Sequence, residues 1–351
     1  MLSLASISSL AQTDSTKNPL RFSGYLETYY NYDFGQPSNH SRPDFVYSHN
    51  RHNEVSLNLG FIKAAYQTEN VRGNLAIMTG SYANVNLASE PGVFKNIFEA
   101  NAGFKLSKTK NLWVDAGIFS SHIGFESAIG KSCWNLTRSI LADNSPYYES
   151  GAKISYTSQN EKWFVSALIL NGWQRIQRVN GNSSPAFGHQ ITYKPNSKIT
   201  LNSSSFVGSL KPDSVKQMRY FHNFYGVFEF SDKLGLTIGF DIGAEQKAKG
   251  SSEYNTWFSP VVILKVATGK KTNVSARGEY YRDAKGVLIA TGSPNGFQTF
   301  GFSMNLDYQF SSAIVWRIEG RGFRSKDEIF TLNKKSSTQN YLLSTALAMS
   351  F

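Results

Sequence analysis

The chain has 351 residues and a formal net charge of +11, yet only 17% of its residues are charged, against about 25% in an average soluble domain. Mean hydropathy is −0.33 and no run of eighteen apolar residues occurs, which excludes transmembrane helices. With 25 Phe, 18 Tyr and 28 Gly, the composition suits the other structure that can span a membrane, a closed β-barrel with aromatic girdles.

Residues 1–11 read as the remnant of a signal peptide, with a short apolar stretch and a small-x-small site, Ser9-Leu10-Ala11, before Gln12. A basic n-region is missing, since the first positive residue is Lys17. Residues 12–19 make a short tail, and 20–351 show no break in composition and read as one domain. Cys133 is the single cysteine, which excludes an intrachain disulfide.

From residue 20 onward, sixteen segments of about 10–16 residues alternate with period two, the length of a tilted membrane strand. They fall near 20–34, 51–67, 70–86, 93–107, 111–120, 147–158, 161–172, 184–195, 197–209, 218–231, 233–247, 253–268, 271–283, 297–310, 312–324 and 337–351. In the clearest cases Phe22, Leu26, Tyr30, Tyr32 and Phe34 alternate with Glu27 and Asn31, and Leu234 to Ile242 alternate with Asp241 and Glu245. Parity puts Leu57, Leu59, Phe61, Leu236, Ile238, Phe240, Phe300, Phe302, Leu306, Trp316, Leu347 and Met349 against lipid, and Thr237 in water.

The connections alternate strictly. Tight, turn-rich links at 68–70, 107–111, 158–161, 195–197, 231–233, 268–271 and 310–312 are hairpin-sized. Longer Gly/Pro/Asn-rich loops occur around 35–50, 87–92, 121–146, 173–183, 210–217, 248–252, 284–296 and 325–336. Both termini then lie on the short-turn side, as an even-numbered barrel with short periplasmic turns and long external loops requires. The last segment supports this: Tyr341, Leu343, Leu347, Met349 and the terminal Phe351 share one face, and Leu342, Ser344, Ala346, Ala348 and Ser350 the other.

Asp115-Ala-Gly-Ile-Phe119, His122-Ile-Gly-Phe-Glu126, Asn135-Leu-Thr-Arg-Ser139, Pro146 to Gly151 and Asn171-Gly-Trp-Gln174 resemble, in order and spacing, successive blocks of the OmpL-like putative beta-barrel porins of Gram-negative outer membranes. The resemblance implies an outer-membrane channel and no particular solute. The loop 121–146 is the third long one, and similarity of position to the third external loop of sixteen-stranded general porins implies that it folds into the lumen. Its charged residues Glu126, Lys131, Arg138 and Asp143 would then oppose one another across a constriction. The alternative is an external flap whose charges are solvated.

By parity the lumen wall carries Lys105, Lys153, Lys265, Arg277, Arg317 and Arg321 beside Glu27, Glu54, Glu99, Asp115, Glu149, Asp241, Glu245, Glu279, Asp307 and Glu319. The wall is therefore mixed in sign. Arg317, Glu319 and Arg321 can form a ladder with Arg277 and Glu279, for which mutual ion pairing is the expected role. The surplus positive charge sits in turns and loops, where Lys108, Lys110, Lys270, Lys271, Lys334 and Lys335 can meet lipid and lipopolysaccharide phosphates.

Three other motifs carry less. Gly124 to Ser132 is one residue out of register for a P-loop, because Phe125 stands where the first glycine belongs. His40, His49, His52 and Asp44 have a spacing that can hold a metal on a bent loop, though exposed loop histidines are usually solvated. His122 with Ser120, Ser121 and Glu126 is the one grouping that resembles catalytic machinery, and loop packing explains it more simply.

The sequence therefore reads as an all-β, antiparallel up-and-down barrel of about sixteen strands, integral to the outer membrane. It acts as a porin for passive diffusion of small hydrophilic solutes, with no catalytic residues, cofactor, metal or nucleic-acid partner. The C-terminal strand is expected to engage the barrel-assembly machinery, and a homo-oligomer is compatible with the chain. A substrate-specific channel and a non-conducting receptor or adhesin barrel are the competing readings.

Overall fold

The structure, a computed structural model, describes residues 18–351, so the signal-peptide remnant and most of the tail lie outside the described residues. Strands are β1 Leu20–Asp33, β2 Val55–Gln67, β3 Val71–Thr79, β4 Ile97–Lys105, β5 Asn111–Ser120 and β6 Tyr148–Thr157. They continue as β7 Trp163–Leu170, β8 Ala186–Asn196, β9 Ile199–Gly208, β10 Arg219–Glu229, β11 Leu234–Gln246 and β12 Tyr254–Ala267. The last are β13 Thr272–Asp283, β14 Phe297–Gln309, β15 Ile314–Ser325, β16 Phe330–Leu332, β17 Lys335–Ser337 and β18 Gln339–Ser350. All except β16 and β17, a small hairpin within the last long loop, pair antiparallel with their neighbours in one closed barrel of sixteen strands.

Closure is made by β1 on β18, from Tyr25↔Ser350 to Asp33↔Leu342. A closed sheet leaves no edge with unpaired N–H and C=O groups, the condition for backbone at membrane depth. The terminal residue completes the seam: Gly24 and Phe351 exchange backbone hydrogen bonds of 2.8 and 3.1 Å. Gly24 has no side chain because a Cβ there would strike the Phe351 ring.

The two faces separate as the alternation requires. Ile238, Phe300, Phe302 and Leu347 are 45%, 61%, 56% and 46% exposed on the outer face, where lipid would cover them. Four expectations need correction. A β-bulge between Glu27 and Thr28 shifts the β1–β2 register, so Leu59 pairs with inward Glu27 and Phe61 with inward Tyr25; only Leu57 of the three faces outward. Thr237 points inward but lies buried beneath Phe125 and Trp134 rather than in water. Glu54 precedes β2 and pairs with Arg51 at 2.7 Å instead of lining the wall. The segment 70–86 is strand only to Thr79; at Gly80 (φ 125°) the chain turns, and a Cβ there would collide with the Asn58 carbonyl. A short helix, α1 (Ser81–Asn86), follows.

Candidate functional site

Inside the barrel the β13–β15 wall presents charges at alternate positions, because period two returns every second side chain to the lumen. Register aligns them: Arg277 lies across from Ser303 and Ser303 from Arg321, while Asn305 faces Glu319 and Asp307 faces Arg317. Arg277 lies 3.0 Å from Glu319 and 3.3 Å from Glu279, Arg321 lies 2.6 Å from Glu279, and Arg317 lies 2.7 Å from Asp307. Of these six side chains, all but Asp307 are at most 1% exposed. Something other than water covers them.

The cover is the backbone of residues 121–146. Arg277 donates to the Thr137 carbonyl at 2.7 Å, Arg321 to that of Arg138 at 2.8 Å, and Arg317 to those of Gly130 and Cys133 at 2.7 and 2.8 Å. In return Glu319 accepts from the Thr137 N–H and Glu279 from the Ile140 N–H, both at 2.6 Å. An irregular segment cannot satisfy its own buried donors and acceptors. Here the wall cations take its carbonyls and the wall carboxylates its N–H groups, charge-assisted bonds of the stronger kind. Neutral wall residues add to the seat: Asn305 accepts from the Leu136 N–H and Ser275 donates to the Trp134 carbonyl.

The loop charges turn inward on the loop itself. Arg138 is fully buried and donates to the carbonyls of Ser127 and Leu136, both at 2.7 Å. Glu126 accepts from the N–H and the hydroxyl of Ser139 and stands 3.7 Å from Arg277. Ser139 in turn caps the single-turn helix α2 (Ile140–Asp143) by accepting from the Ala142 N–H at 3.2 Å. Asp143 accepts from the Tyr147 hydroxyl at 3.3 Å. Burial lifts its carboxyl to about 7, with Arg321 and Arg138 opposing the rise.

Lys131 occupies the far tip. Its ammonium donates to the carbonyls of Ser312 and Ala313 at 2.6 and 3.0 Å and to the Ser350 hydroxyl at 2.6 Å. Burial lowers its pKa. Ser312 lies in the short β14–β15 turn, whereas the loop leaves β5 at the opposite, long-loop end, so the segment runs the height of the barrel. Gly130 beside it has no Cβ because one would meet the Glu27 carboxylate.

Of the charges marked in the sequence, Glu126, Arg138, Asp143, Arg277, Glu279, Glu319 and Arg321 come together, with Lys131 and Arg317 nearer the tip. Glu149 and Lys153 stand apart on β6. Both Glu149 carboxylate oxygens are buried without a hydrogen-bond partner among the described residues, and the Lys153 ammonium lies 4.8 Å from the centre of the Phe119 ring. His122 Nε2 bonds the Ser205 carbonyl at 2.8 Å, and burial depresses its pKa to about 4. It does not meet Ser120, Ser121 or Glu126 in a catalytic arrangement. Nor do His40, His49 and His52 converge: His49 turns to Glu27 at 3.4 Å, and His52 accepts the Asp33 N–H at 2.9 Å.

Sequence reasoning missed that the first two long loops also turn inward. Phe45 packs on Phe297, Phe323 and Phe330, Asn31 donates to the His49 carbonyl, and Tyr82 of α1 packs on Tyr147. The density of aromatics in loops was the available signal. A cavity of ≈ 660 Å³ remains at the long-loop end, bordered by Pro37, Phe45, Ile289, Ser293, Phe330 and Asn340.

No curated protein matches the chain. Among solved structures it resembles an anion-selective porin from Comamonas acidovorans (TM-score 0.63, 8% identity, 95% of this chain and 99% of that one). The outer membrane channel DcaP of Acinetobacter baumannii is similar too (TM-score 0.60, 12% identity, 97% and 99%), as is the trimer form of OmpT, an outer membrane protein of Vibrio cholerae (TM-score 0.57, 8% identity, 95% and 99%). At these identities the likeness establishes the fold alone. The family model described as putative beta-barrel porin-2, OmpL-like, matches residues 19–351, the whole of the barrel just described, and the chain belongs to that family.

Proposed function

We propose that the protein is a non-enzymatic outer-membrane porin that passes small hydrophilic solutes by passive diffusion, with residues 121–146 forming the constriction. The observation that carries this reading is the seating of that loop on the inner wall through Arg277, Glu279, Arg317, Glu319 and Arg321. A segment held by charge-assisted bonds along the height of the lumen reduces its cross-section. In this proposal Glu126, Lys131, Arg138 and Asp143 set the constriction by fixing the loop's shape, and the wall charges fix its position.

The apolar outer face supports residence in a bilayer, with Lys270, Lys271 and their counterparts meeting lipid phosphates and lipopolysaccharide at the rims. The exposed terminal Phe351 supports recognition by the barrel-assembly machinery. A homo-oligomer is part of the proposal, in line with the trimer form of one structural neighbour. The test is single-channel conductance of the purified, folded chain in a planar bilayer. Stepwise ohmic currents are expected, and a folded barrel that inserts without conducting would favour the receptor or adhesin reading.

A further inference from the structure

Charges on the lumen wall do not all meet water. On the half covered by the loop, Arg277, Glu279, Glu319 and Arg321 have side chains 0–1% exposed that pair with one another and bond to loop backbone. Their fields are compensated within a few ångströms. On the β2–β6 wall the situation differs. The side chains of Lys63, Arg72 and Glu99 are 18%, 28% and 13% exposed, and Asp115 is 7% exposed. Register brings Lys105 across from Trp113 and Lys153 across from Asp115 on this same inner face.

We infer that this water-accessible sector is the solute's route past the loop and that its uncompensated lysines make the channel prefer small anions. The inference rests on the porin reading and adds to it the class of solute. The partly exposed carboxylates of the sector are already claimed, Glu99 by Lys63 at 2.5 Å and Asp115 by a two-bond contact with Arg72 at 2.6 and 2.5 Å, while Glu149 on the same face of β6 is fully buried. The Arg72 guanidinium is further fixed 4.3 Å from the centre of the Trp113 ring. Lys105 and Lys153 have no ion-pair partner among the described residues, and both are half-buried. Two partly exposed carboxylates among four cations leave an excess of positive charge facing water.

Such an excess in an aqueous lane with low-dielectric walls concentrates anions and repels cations. Ammonium groups with free donors also suit the oxygens of carboxylate and phosphate solutes. The mixed sign read along the whole wall therefore does not by itself set selectivity, because the ladder charges Arg277, Glu279, Glu319 and Arg321 are sealed under the loop.

The experiment is the reversal potential of the full chain in a planar bilayer under a KCl gradient, beside the double variant Lys105→Glu, Lys153→Glu. Lys270→Glu, Lys271→Glu serves as a control with the same change in net charge in an exposed turn. The parent should be anion-preferring severalfold, the wall variant should move to cation preference, and the turn variant should keep the parent's potential. Channels in the parent that prefer cations, or a potential that moves equally in both variants, overturn the inference and leave the porin reading intact. Absence of any current from a parent shown to be folded by heat-modifiable migration overturns both. If the double variant does not fold, the parent's own sign still decides.

Discussion

The guanidinium of Arg317 on the barrel wall donates a 2.7 Å hydrogen bond to the carbonyl of Gly130 near the tip of the internal loop. The same side chain holds the Cys133 carbonyl and pairs with Asp307, so one residue joins loop, wall and a counter-charge. Replacing it by Gln removes the charge and leaves two loop carbonyls under-satisfied. Removing one member of a buried ion pair costs about 3–5 kcal/mol, and the partial exposure of Asp307 places this case at the lower end. Arg317→Gln is expected to lower the thermal unfolding midpoint and to add gating noise to single-channel traces. Quiet traces with an unchanged midpoint would show that the loop is held elsewhere.

Asp143 gives the loop a pH dependence whose sign follows from burial. Its carboxyl is raised from the ordinary 3.8 to about 7, so the neutral form is the one that fits the seated loop. Stabilisation of the seat is complete below about pH 4 and is lost as pH rises through about 7. Current fluctuations should therefore increase between pH 5 and pH 8, and Asp143→Asn should flatten that trend. A parent whose traces do not change over this range would contradict the assignment.

Face assignment is testable by paired charge insertions. Ile238 is 45% exposed on the outer face, and an arginine there near the bilayer midplane should cost about 2–4 kcal/mol. Gln190 lies on the inner face of β8, bonded to Asn202 at 3.1 Å, and Gln190→Arg should fold with little loss. Urea unfolding in lipid vesicles compares the two, and equal destabilisation would refute the register of these strands.

The seam at Gly24 and Phe351 connects the terminal aromatic to barrel closure. Deleting Phe351 removes two backbone hydrogen bonds and the ring that covers Gly24. We expect reduced yield of folded barrel in the outer membrane, with near-parental conductance for the fraction that assembles. Normal yield of the truncated chain would argue against a role in assembly.

Much of the barrel was legible in the sequence because one face of every strand must satisfy lipid, and that constraint writes itself as strict alternation. The Glu27/Thr28 bulge was not legible, since one extra residue inverts parity without any change in composition, and Leu59 and Phe61 were misplaced for that reason. Helix α1 was hidden because Tyr82 and Ala83 continue the alternating pattern of β3; only Gly80 marked the break. At the candidate site the wall ladder was readable from the spacing of Arg317, Glu319 and Arg321. Its partners were not, because those side chains bind loop carbonyls and N–H groups, which every residue carries alike. The inward turn of Arg138 likewise depends on the backbone of Ser127 and Leu136 rather than on any side-chain motif.

The central claim, that residues 121–146 narrow the lumen, is tested most directly by comparing single-channel conductance of the parent with that of a chain lacking residues 127–142. No barrel strand is cut, and Arg277, Glu279, Glu319 and Arg321 retain one another as partners once the loop is gone. The account predicts folded barrels whose conductance rises severalfold. Folded barrels with the parent's conductance would contradict it.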